Sequence, residues 1–281
     1  MEIKKDDIVL RKSHGKDIFF RVDSIDAKTE VAQLRGIDIR LCADAPLFDL
    51  EKPGIAELAN YRATSLRVRI DMITKVHRQH KFMRRENKKK SSPDYVNIPG
   101  TVLHLDGDRD YMEVCRRAYN DLEIVHSCMY VPEREQAQRV EELLRGCNPD
   151  ILVLTGHDGM AKVPGNRDGV DNYHNTRHFI GAVARARAYQ PSKDDLVIFA
   201  GACQSWYQGI IKAGANFASS PERVLIHCLD PVLIVEKVAY TSVGRTVNIL
   251  DTLEQSLTGL KGVGGIETRG QFRLGLPKLE K

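Results

Sequence analysis

Long apolar runs alternate with amphipathic stretches over the C-terminal two-thirds of the chain. The runs at 150–155 and 195–200 show no alternation of apolar and polar positions, which is typical of strands buried on both faces. A stretch with helical spacing separates them, so we predict neighbouring parallel strands. Similar runs at 102–106, 124–131 and 223–230 predict three further strands. This part of the chain is therefore predicted to form a three-layer α/β domain with a mostly parallel sheet.

Amphipathic segments in the intervals predict the helices that would cover this sheet. Residues 111–120 read as a short helix. A second helix begins at Pro132 with acidic residues in its first turn, as helix starts prefer. The glycine-rich stretch 259–276 is predicted to hold a short hairpin near the edge of the sheet.

The N-terminal part of the chain has a different pattern, with short runs of β-forming residues and turn signals between them. Runs at 7–11, 18–22, 31–36 and 37–41 predict a small β-rich domain that fits an SH3-like barrel. None of its residues suggests a catalytic role. We therefore predict a β-rich domain over residues 1–52.

A helix is predicted over residues 55–85, followed by a charged, turn-rich linker at 86–94. We accordingly predict a basic helix and flexible linker over residues 53–97 and an α/β domain over 98–281. Five Arg and Lys residues lie at positions 84–90, where the predicted helix passes into the linker.

The net charge of +4 conceals a basic block. Residues 62–90 contain eleven Lys or Arg and two acidic residues. Such a block can bind nucleic acid through phosphates, but a solvated helix that runs into a linker is the favoured interpretation, and no nucleic-acid partner is predicted. No apolar run is long enough to span a bilayer, and the N-terminus lacks an apolar signal core. We therefore predict a cytoplasmic protein with no membrane association.

Two reactive side chains follow the unbroken apolar runs. His157 comes after the run at 150–155 and Cys203 after the run at 195–200. Because parallel strands end at one edge of the sheet, an imidazole and a thiol should face one cleft there. A thiol nucleophile requires such a base nearby. Cys203 is the predicted nucleophile, and His157 is the predicted general acid and base.

These residues carry a resemblance to a known group. The pattern of apolar strand, Thr155-Gly156-His157-Asp158-Gly159, second apolar strand and Gly201-Ala202-Cys203 resembles the caspase-like cysteine peptidases, which include clostripain, gingipains and legumains. With the stretches 7–13 and 41–46, the whole chain resembles a family of sporulation-specific proteases. The resemblance implies a caspase-like fold and a peptidase that cuts after basic residues. It also implies spore coat or cortex proteins as substrates, in the mother cell and at the forming coat.

The peptidase mechanism predicts two further groups of residues. Peptide N–H groups at Asp158, Gly159 and Cys203 should hold the developing oxyanion. An arginine pocket needs a carboxylate at its base, because guanidinium binds carboxylates in a fork. The acids that follow predicted strands at the same edge are the candidates, with Asp108 preferred over Asp106 and Asp230 third.

Other interpretations remain open at this point. The chain could be a non-enzymatic coat or nucleic-acid-binding scaffold. A zinc hydrolase would use His174 and His178, whose spacing places them on one face of a helix. The six cysteines are scattered without a CxxC pair, so no disulfide framework is predicted. No metal or cofactor is predicted, and self-cleavage is predicted at residues 84–90 because exposed linkers are readily nicked.

Overall fold

An antiparallel sheet opens the chain. The computed structural model describes residues 2–88, 96–160 and 169–275, with the backbone alone at 79–88 and 255. Its first sheet has five strands in the order β4-β3-β2-β1-β5, namely β1 (Ile8–Arg11), β2 (Phe20–Asp26), β3 (Val31–Gly36), β4 (Cys42–Pro46) and β5 (Leu50–Glu51). Alternate side chains pack inward around Val9, Phe20 and Leu34. The predicted β-rich N-terminal region is therefore present as an antiparallel sheet.

One predicted strand of this region is wrong, and the correction concerns the functional site. Residues 37–41 are not a strand of the N-terminal sheet, whose fourth strand begins at Cys42. Between β3 and β4 the chain leaves this sheet and pairs with loops of the α/β region. Ile39 bridges His227, and Leu41 bridges Asp158. The run of β-forming residues predicts extended backbone correctly but cannot indicate which partner it pairs with.

A six-stranded sheet forms the centre of the molecule. Its strand order is β12-β11-β10-β9-β7-β8. The strands are β7 (Val102–Asp106), β8 (His126–Tyr130), β9 (Ile151–Thr155), β10 (Val197–Ala200), β11 (Phe217–Ser219) and β12 (Val263–Gly265). Every neighbouring pair is parallel except β11–β12. The mostly parallel sheet is confirmed, and β9 and β10 are neighbours as predicted.

Helices cover both faces of this sheet. The helices are α1 (Ile55–Lys88), α2 (Arg109–Asp121), α3 (Glu133–Cys147), α4 (Thr176–Tyr189), α5 (Tyr207–Ala213), α6 (Asp230–Tyr240) and α7 (Ile249–Gln255). One buried apolar cluster joins the sheet to α2 and α6, and another joins it to α3 and α4. The resulting order of layers is helix, sheet and helix, as the alternating pattern predicts.

The predicted fifth strand at 223–230 is also wrong. The fifth parallel strand is β11, which is only three residues long, and Asp230 begins α6. Residues 224–228 instead run as a loop beside Cys203 and residues 38–40. The predicted hairpin at 259–276 is wrong as well. Its first half joins the central sheet as β12, and β13 (Arg273–Gly275) pairs with β6 (Val96–Ile98).

Helix α1 extends to Lys88, beyond its predicted end, so residues 86–88 are helical rather than linker. The rest of the predicted linker, residues 89–94, falls outside the described residues. Met72 and Val76 attach α1 to the core, whereas most of its other described side chains are exposed. Within the described ranges, none of the helices is both long and apolar enough to cross a membrane. The predicted boundaries of the three regions stay a prediction.

Candidate active site

His157 and Cys203 lie at the same edge of the central sheet. Strand β9 ends two residues before His157, and its parallel neighbour β10 ends three residues before Cys203. Gly201 allows the sharp turn out of β10, because its φ of +111° disfavours residues with a Cβ. Both reactive side chains are fully buried. The predicted placement at adjacent strand ends is therefore present.

The imidazole of His157 is buried and stacks on a tyrosine ring. Its ring centroid lies 5.0 Å from that of Tyr111, and Nε2 lies 3.8 Å from a carboxylate oxygen of Asp108. Neither ring nitrogen has a hydrogen-bond partner among the described residues. Burial lowers the pKa of His157 to about 3, and nearby arginines add to the effect. The imidazole is therefore neutral in this arrangement.

The thiol of Cys203 is held by backbone groups. Its Sγ accepts the N–H of Ile226 at 3.2 Å and lies 3.6 Å from the carbonyl oxygen of the same residue. Burial raises the pKa of Cys203 well above its usual value. The thiol is therefore protonated in this arrangement, and it would need exposure or a nearby positive charge to become a thiolate.

A segment from the N-terminal region, residues 37–42, lies against the loops that carry both side chains, and we call it the covering segment. The N–H of Arg40 donates to the carbonyl of Ile226 at 3.3 Å, and the N–H of Cys42 donates to the carbonyl of Asp158 at 3.2 Å. The segment therefore lies between the loop after β9 and the loop 224–228. Its backbone turns at Arg40, where the N–H of Leu41 donates to the carbonyl of Ile39 at 2.7 Å. Gly159 permits this approach, since a Cβ there would lie 2.8 Å from the carbonyl oxygen of Cys42.

Two backbone N–H groups converge on one carbonyl oxygen of this covering segment. The N–H of Cys203 lies 3.2 Å from the oxygen of Arg40, and the N–H of Asp158 lies 3.3 Å from it. Two such donors beside a thiol form the arrangement that stabilises an oxyanion in acyl transfer. The N–H of Gly159 instead donates to the side chain of Asp158 at 2.9 Å. Of the predicted donors, the structure thus brings Cys203 and Asp158 together and directs Gly159 elsewhere.

The side chain of Arg40 fills a closed pocket beneath the same edge. It is fully buried, and one guanidinium nitrogen lies 2.9 Å from Asp106. The guanidinium also donates to the carbonyls of Cys228 at 3.1 Å and Gly156 at 3.4 Å. The ring of Tyr111 lies 5.0 Å from the guanidinium carbon, within the range of a cation–π contact. Nε of Arg40 is buried without a hydrogen-bond partner among the described residues. The pocket therefore matches the charge of an arginine and the donors at the two terminal nitrogens of its guanidinium.

Hydrogen bonds from neighbouring residues hold the carboxylate of Asp106 in place. Its oxygens accept from the hydroxyl of Thr155 and the N–H of Asp108, both at 3.0 Å, and His104 Nε2 lies 3.4 Å away. Burial alone would raise the pKa of Asp106, but the charge of Arg40 and these hydrogen bonds hold that pKa well below its usual range. The carboxylate is therefore ionised at the base of the pocket.

The two other predicted pocket acids lie elsewhere. Asp108 caps α2 by accepting the N–H groups of Asp110 and Tyr111 through one oxygen. Its other oxygen lies 3.5 Å from a guanidinium nitrogen of Arg21 and 3.6 Å from one of Arg35. Asp230 accepts from Leu257, Thr258 and His227 at the start of α6. Among the three candidates, Asp106 contacts the buried arginine in the structure.

The side chain of Asp158 connects the two loops that carry His157 and Cys203. Its carboxylate accepts from the hydroxyl groups of Thr176 and Ser205 and from the N–H of Asn175. Ser205 in turn accepts the N–H of Ala202 at 3.0 Å. Burial raises the pKa of Asp158. This network fixes the spacing between the two N–H groups that meet at Arg40.

A cavity of about 510 Å³ continues from the covering segment toward the surface. It lies on the C-terminal side of Arg40 and is bordered by Leu41, Cys42, Asp44, Met160 and Gln204. The walls come from both the N-terminal sheet and the α/β region. The cavity therefore lies beside the residues that follow Arg40 in the chain.

The alternative of a zinc site at His174 and His178 requires both residues to lie on one helix, and the structure contradicts this. Helix α4 begins at Thr176, so His174 precedes it and does not share a helix face with His178. Two groups of three potential metal ligands occur among the described residues, at His104-Asp106-Cys115 and Asp38-His227-Cys228. The guanidinium of Arg40 already supplies the positive charge at the first group. We assign a metal-binding role to neither group.

Sequence reasoning missed Arg40. Its flanking residues Ile39 and Leu41 continue a β-like pattern, so it is predicted as an ordinary strand residue. One available signal was that the stretch beginning at Leu41 contributes to the family resemblance although no catalytic residue had been assigned there.

Two comparisons with known proteins identify the family of the chain. Residues 4–277 match the family model described as YabG peptidase U57. The chain is 37% identical over 286 residues to the sporulation-specific protease YabG of Bacillus subtilis (strain 168), with 99% of each chain covered. The resemblance to a family of sporulation-specific proteases is confirmed. The chain therefore belongs to the YabG peptidase family.

Proposed function

We propose that the chain is a cysteine endopeptidase that cleaves after arginine, with Cys203 as nucleophile and His157 as general acid and base. One observation carries this proposal. An arginine side chain occupies a closed acidic pocket while the carbonyl oxygen of the same residue accepts the N–H groups of Cys203 and Asp158. Membership in a peptidase family favours this interpretation over a non-enzymatic scaffold.

The pocket supports a preference for arginine over lysine. One terminal nitrogen of the guanidinium faces Asp106 and the carbonyl oxygen of Cys228, and the other donates to the carbonyl oxygen of Gly156. A planar guanidinium presents several donors in fixed directions, whereas an ammonium is a compact point charge that cannot reach the same set of acceptors. Lysyl substrates should therefore be cleaved more slowly than arginyl substrates.

Attack by Cys203 requires a thiolate. When a substrate replaces the covering segment, a ring nitrogen of His157 takes the thiol proton, and the sulfur attacks the carbonyl carbon of the arginine. The protonated imidazole then gives its proton to the leaving amine. Asp108, 3.8 Å from Nε2, would stabilise the imidazolium and orient the ring that stacks on Tyr111.

The oxyanion of the tetrahedral intermediate would be held by the N–H groups of Cys203 and Asp158. Both groups already lie within 3.3 Å of a carbonyl oxygen, so little rearrangement is needed when charge develops there. The carboxylate of Asp158 acts as a positioning group, since it links Thr176 and Ser205 across the two loops.

The wider setting follows from the family resemblance. We propose a caspase-like arrangement for the α/β region and an SH3-like one for the N-terminal sheet. We also propose spore coat or cortex proteins as substrates, cleaved in the mother cell and at the forming coat. The named relative is a sporulation-specific protease, which supports a role in sporulation.

A peptide panel tests this proposal. Matched peptides with arginine, lysine, citrulline or alanine before the scissile bond are incubated with the wild-type protein and with Cys203→Ala. Cleavage of arginyl peptides by the wild type alone is expected. Equal cleavage of alanyl peptides would contradict the proposed specificity, and activity retained by Cys203→Ala would contradict the proposed nucleophile.

A further inference from the structure

We infer that the Arg40–Leu41 peptide bond is a self-cleavage site, cut by Cys203 of the same chain. The inference rests on the proposed function and adds a specific internal substrate to it. Residues 37–42 lie in the candidate active site as a substrate would, and the closed site becomes available to other proteins once this segment has left.

The backbone of the segment is held on both sides of the bond. Before the bond, the N–H of Arg40 donates to Ile226 at 3.3 Å. At the bond, the Arg40 carbonyl oxygen accepts from Cys203 and Asp158. After the bond, the N–H of Cys42 donates to the carbonyl of Asp158 at 3.2 Å. Ile39 and Leu41 thus bridge backbone on either side of the turn at Arg40, and backbone pairing of this kind is a common mode of peptide recognition.

The side chain of Arg40 gives the segment its register. It is fully buried although it carries a charge, and it contacts Asp106, Gly156 and Cys228. Burying a guanidinium is costly unless it is paired and hydrogen-bonded. A shift of the segment by one residue would place Ile39 or Leu41 in this acidic pocket and leave Asp106 unpaired. The Arg40–Leu41 bond is therefore the one presented to the thiol.

The cleavage step uses water as its only co-reactant. The Cys203 thiol gives its proton to a ring nitrogen of His157, and the sulfur bonds to the Arg40 carbonyl carbon. The bond between that carbon and the Leu41 nitrogen breaks, and His157 returns the proton to the new amine. Water then hydrolyses the thioester, which restores the thiol and leaves a carboxylate on Arg40.

The segment also closes the site to other substrates. His157 and Cys203 are fully buried with the segment in place, and Tyr111, whose ring stacks on His157, donates its hydroxyl to the carbonyls of Gly36 and Ile39. Strand β4 pairs with β3, and β5 pairs with β1, so the cut chain retains sheet contacts across the nick. The newly formed end at Arg40 has no covalent link to β4 and can leave the pocket.

The same chain must supply this substrate. Residues 37–41 form a short connection between β3, which ends at Gly36, and β4, which begins at Cys42. The segment is therefore delivered at a high effective concentration that another molecule cannot match. Cleavage should follow first-order kinetics.

The test follows freshly purified full-length protein by intact mass and by N-terminal sequencing. The expected result is a new N-terminus at Leu41. The half-time of its formation should stay constant when the protein concentration is varied about 100-fold, as an intramolecular step requires. Cys203→Ala should remain intact. Arg40→Ala should not be cut at this bond, Arg40→Lys should be cut more slowly, and the matched control Arg67→Ala, at an exposed arginine of α1, should be cut like the wild type. Thermal melts of all variants identify any that fail to fold.

Two outcomes would overturn the inference. One is a wild-type chain that stays intact at Arg40–Leu41, or is cut only at residues 84–90, while it hydrolyses arginyl peptides. The other is a cleavage rate that rises in proportion to protein concentration. A separate assay isolates the proposed function, because Arg40→Ala leaves the pocket free of its internal arginine. If Arg40→Ala hydrolyses arginyl peptides, the proposed function stands whatever the fate of the Arg40–Leu41 bond; if neither protein hydrolyses them, the proposed function fails.

Discussion

The carboxylate of Asp106 should determine the preference for arginine. We predict that Asp106→Asn, measured in the Arg40→Ala background so that the pocket is free, greatly lowers kcat/KM for arginyl peptides. Asparagine preserves the shape of the side chain but removes its charge. It would therefore leave the substrate guanidinium buried without its ionic partner.

The magnitude follows from the observed contacts. Asp106 and Arg40 approach to 2.9 Å, and both are fully buried. Truncating one partner of such a pair typically costs at least ~2 kcal/mol. The carbonyls of Gly156 and Cys228 and the ring of Tyr111 remain to bind the guanidinium, which keeps the expected loss to about 2–4 kcal/mol, or roughly 30- to 1000-fold.

The assay compares two peptides that differ only in having arginine or citrulline before the scissile bond. Citrulline is a neutral analogue of arginine, so the citrulline peptide should be cleaved more slowly by the enzyme with Asp106. Its kcat/KM should fall far less than that of the arginyl peptide when Asp106 is replaced by Asn. Asp110→Asn is the matched control, because Asp110 is an exposed acid in the first turn of α2. An equal loss on both peptides would indicate damage to the fold or to the catalytic groups. An unchanged preference for arginine would refute the pocket assignment.

Three further predictions follow from the same geometry. Cys203→Ala and His157→Ala should each remove nearly all peptide hydrolysis, and the double variant should be little worse than either one, since a nucleophile and its base act as a unit; strictly additive losses would contradict this. In the Cys203→Ala background, Asp106→Asn should lower the free energy of unfolding by about 3–5 kcal/mol, because it leaves Arg40 buried and unpaired; urea unfolding should show a much smaller loss once Arg40→Ala is added. Folding lowers the pKa of His157 from 6.5 to about 3, so between these pH values the unfolded chain binds a proton that the folded chain does not. The stability present above pH 6.5 should therefore be lost as the pH falls toward 3. Urea midpoints measured across this range should fall less in His157→Asn than in the wild type, and an identical pH profile for the two proteins would contradict the burial of a neutral imidazole.

The sequence predicts the central sheet well because buried parallel strands have an unmistakable pattern. The runs before His157 and Cys203 are continuous, apolar and separated by a helix, a pattern that predicts two neighbouring parallel strands, as observed. Strand β11, only three residues long, carries too little pattern to be separated from the apolar run that follows it. The apolar run at 223–230 instead supplies backbone partners for Cys203 and for the covering segment.

The candidate site could be predicted only in part, because its other half comes from a distant stretch of sequence. His157 and Cys203 are found from local pattern, whereas the contact of Arg40 with Asp106 and Cys203 joins regions far apart in the chain. Nothing in the local sequence distinguishes residues 37–41 from a sheet strand. The sequence also did not show which acid faces the pocket, because that depends on where β7 ends and α2 begins. Asp106 is the last residue of β7, and Asp108 is the N-cap of α2.

The identity of the nucleophile is tested most directly by covalent capture. The Arg40→Ala protein is treated with an arginyl acyloxymethyl ketone, which alkylates a thiolate positioned by an arginine pocket, and the modified residue is located by tandem mass spectrometry. The chain contains six cysteines. The account predicts a single adduct on Cys203, formed together with loss of peptide hydrolysis and absent from His157→Ala. Full modification of another cysteine with loss of activity, or hydrolysis that continues in protein fully alkylated at Cys203, would contradict it.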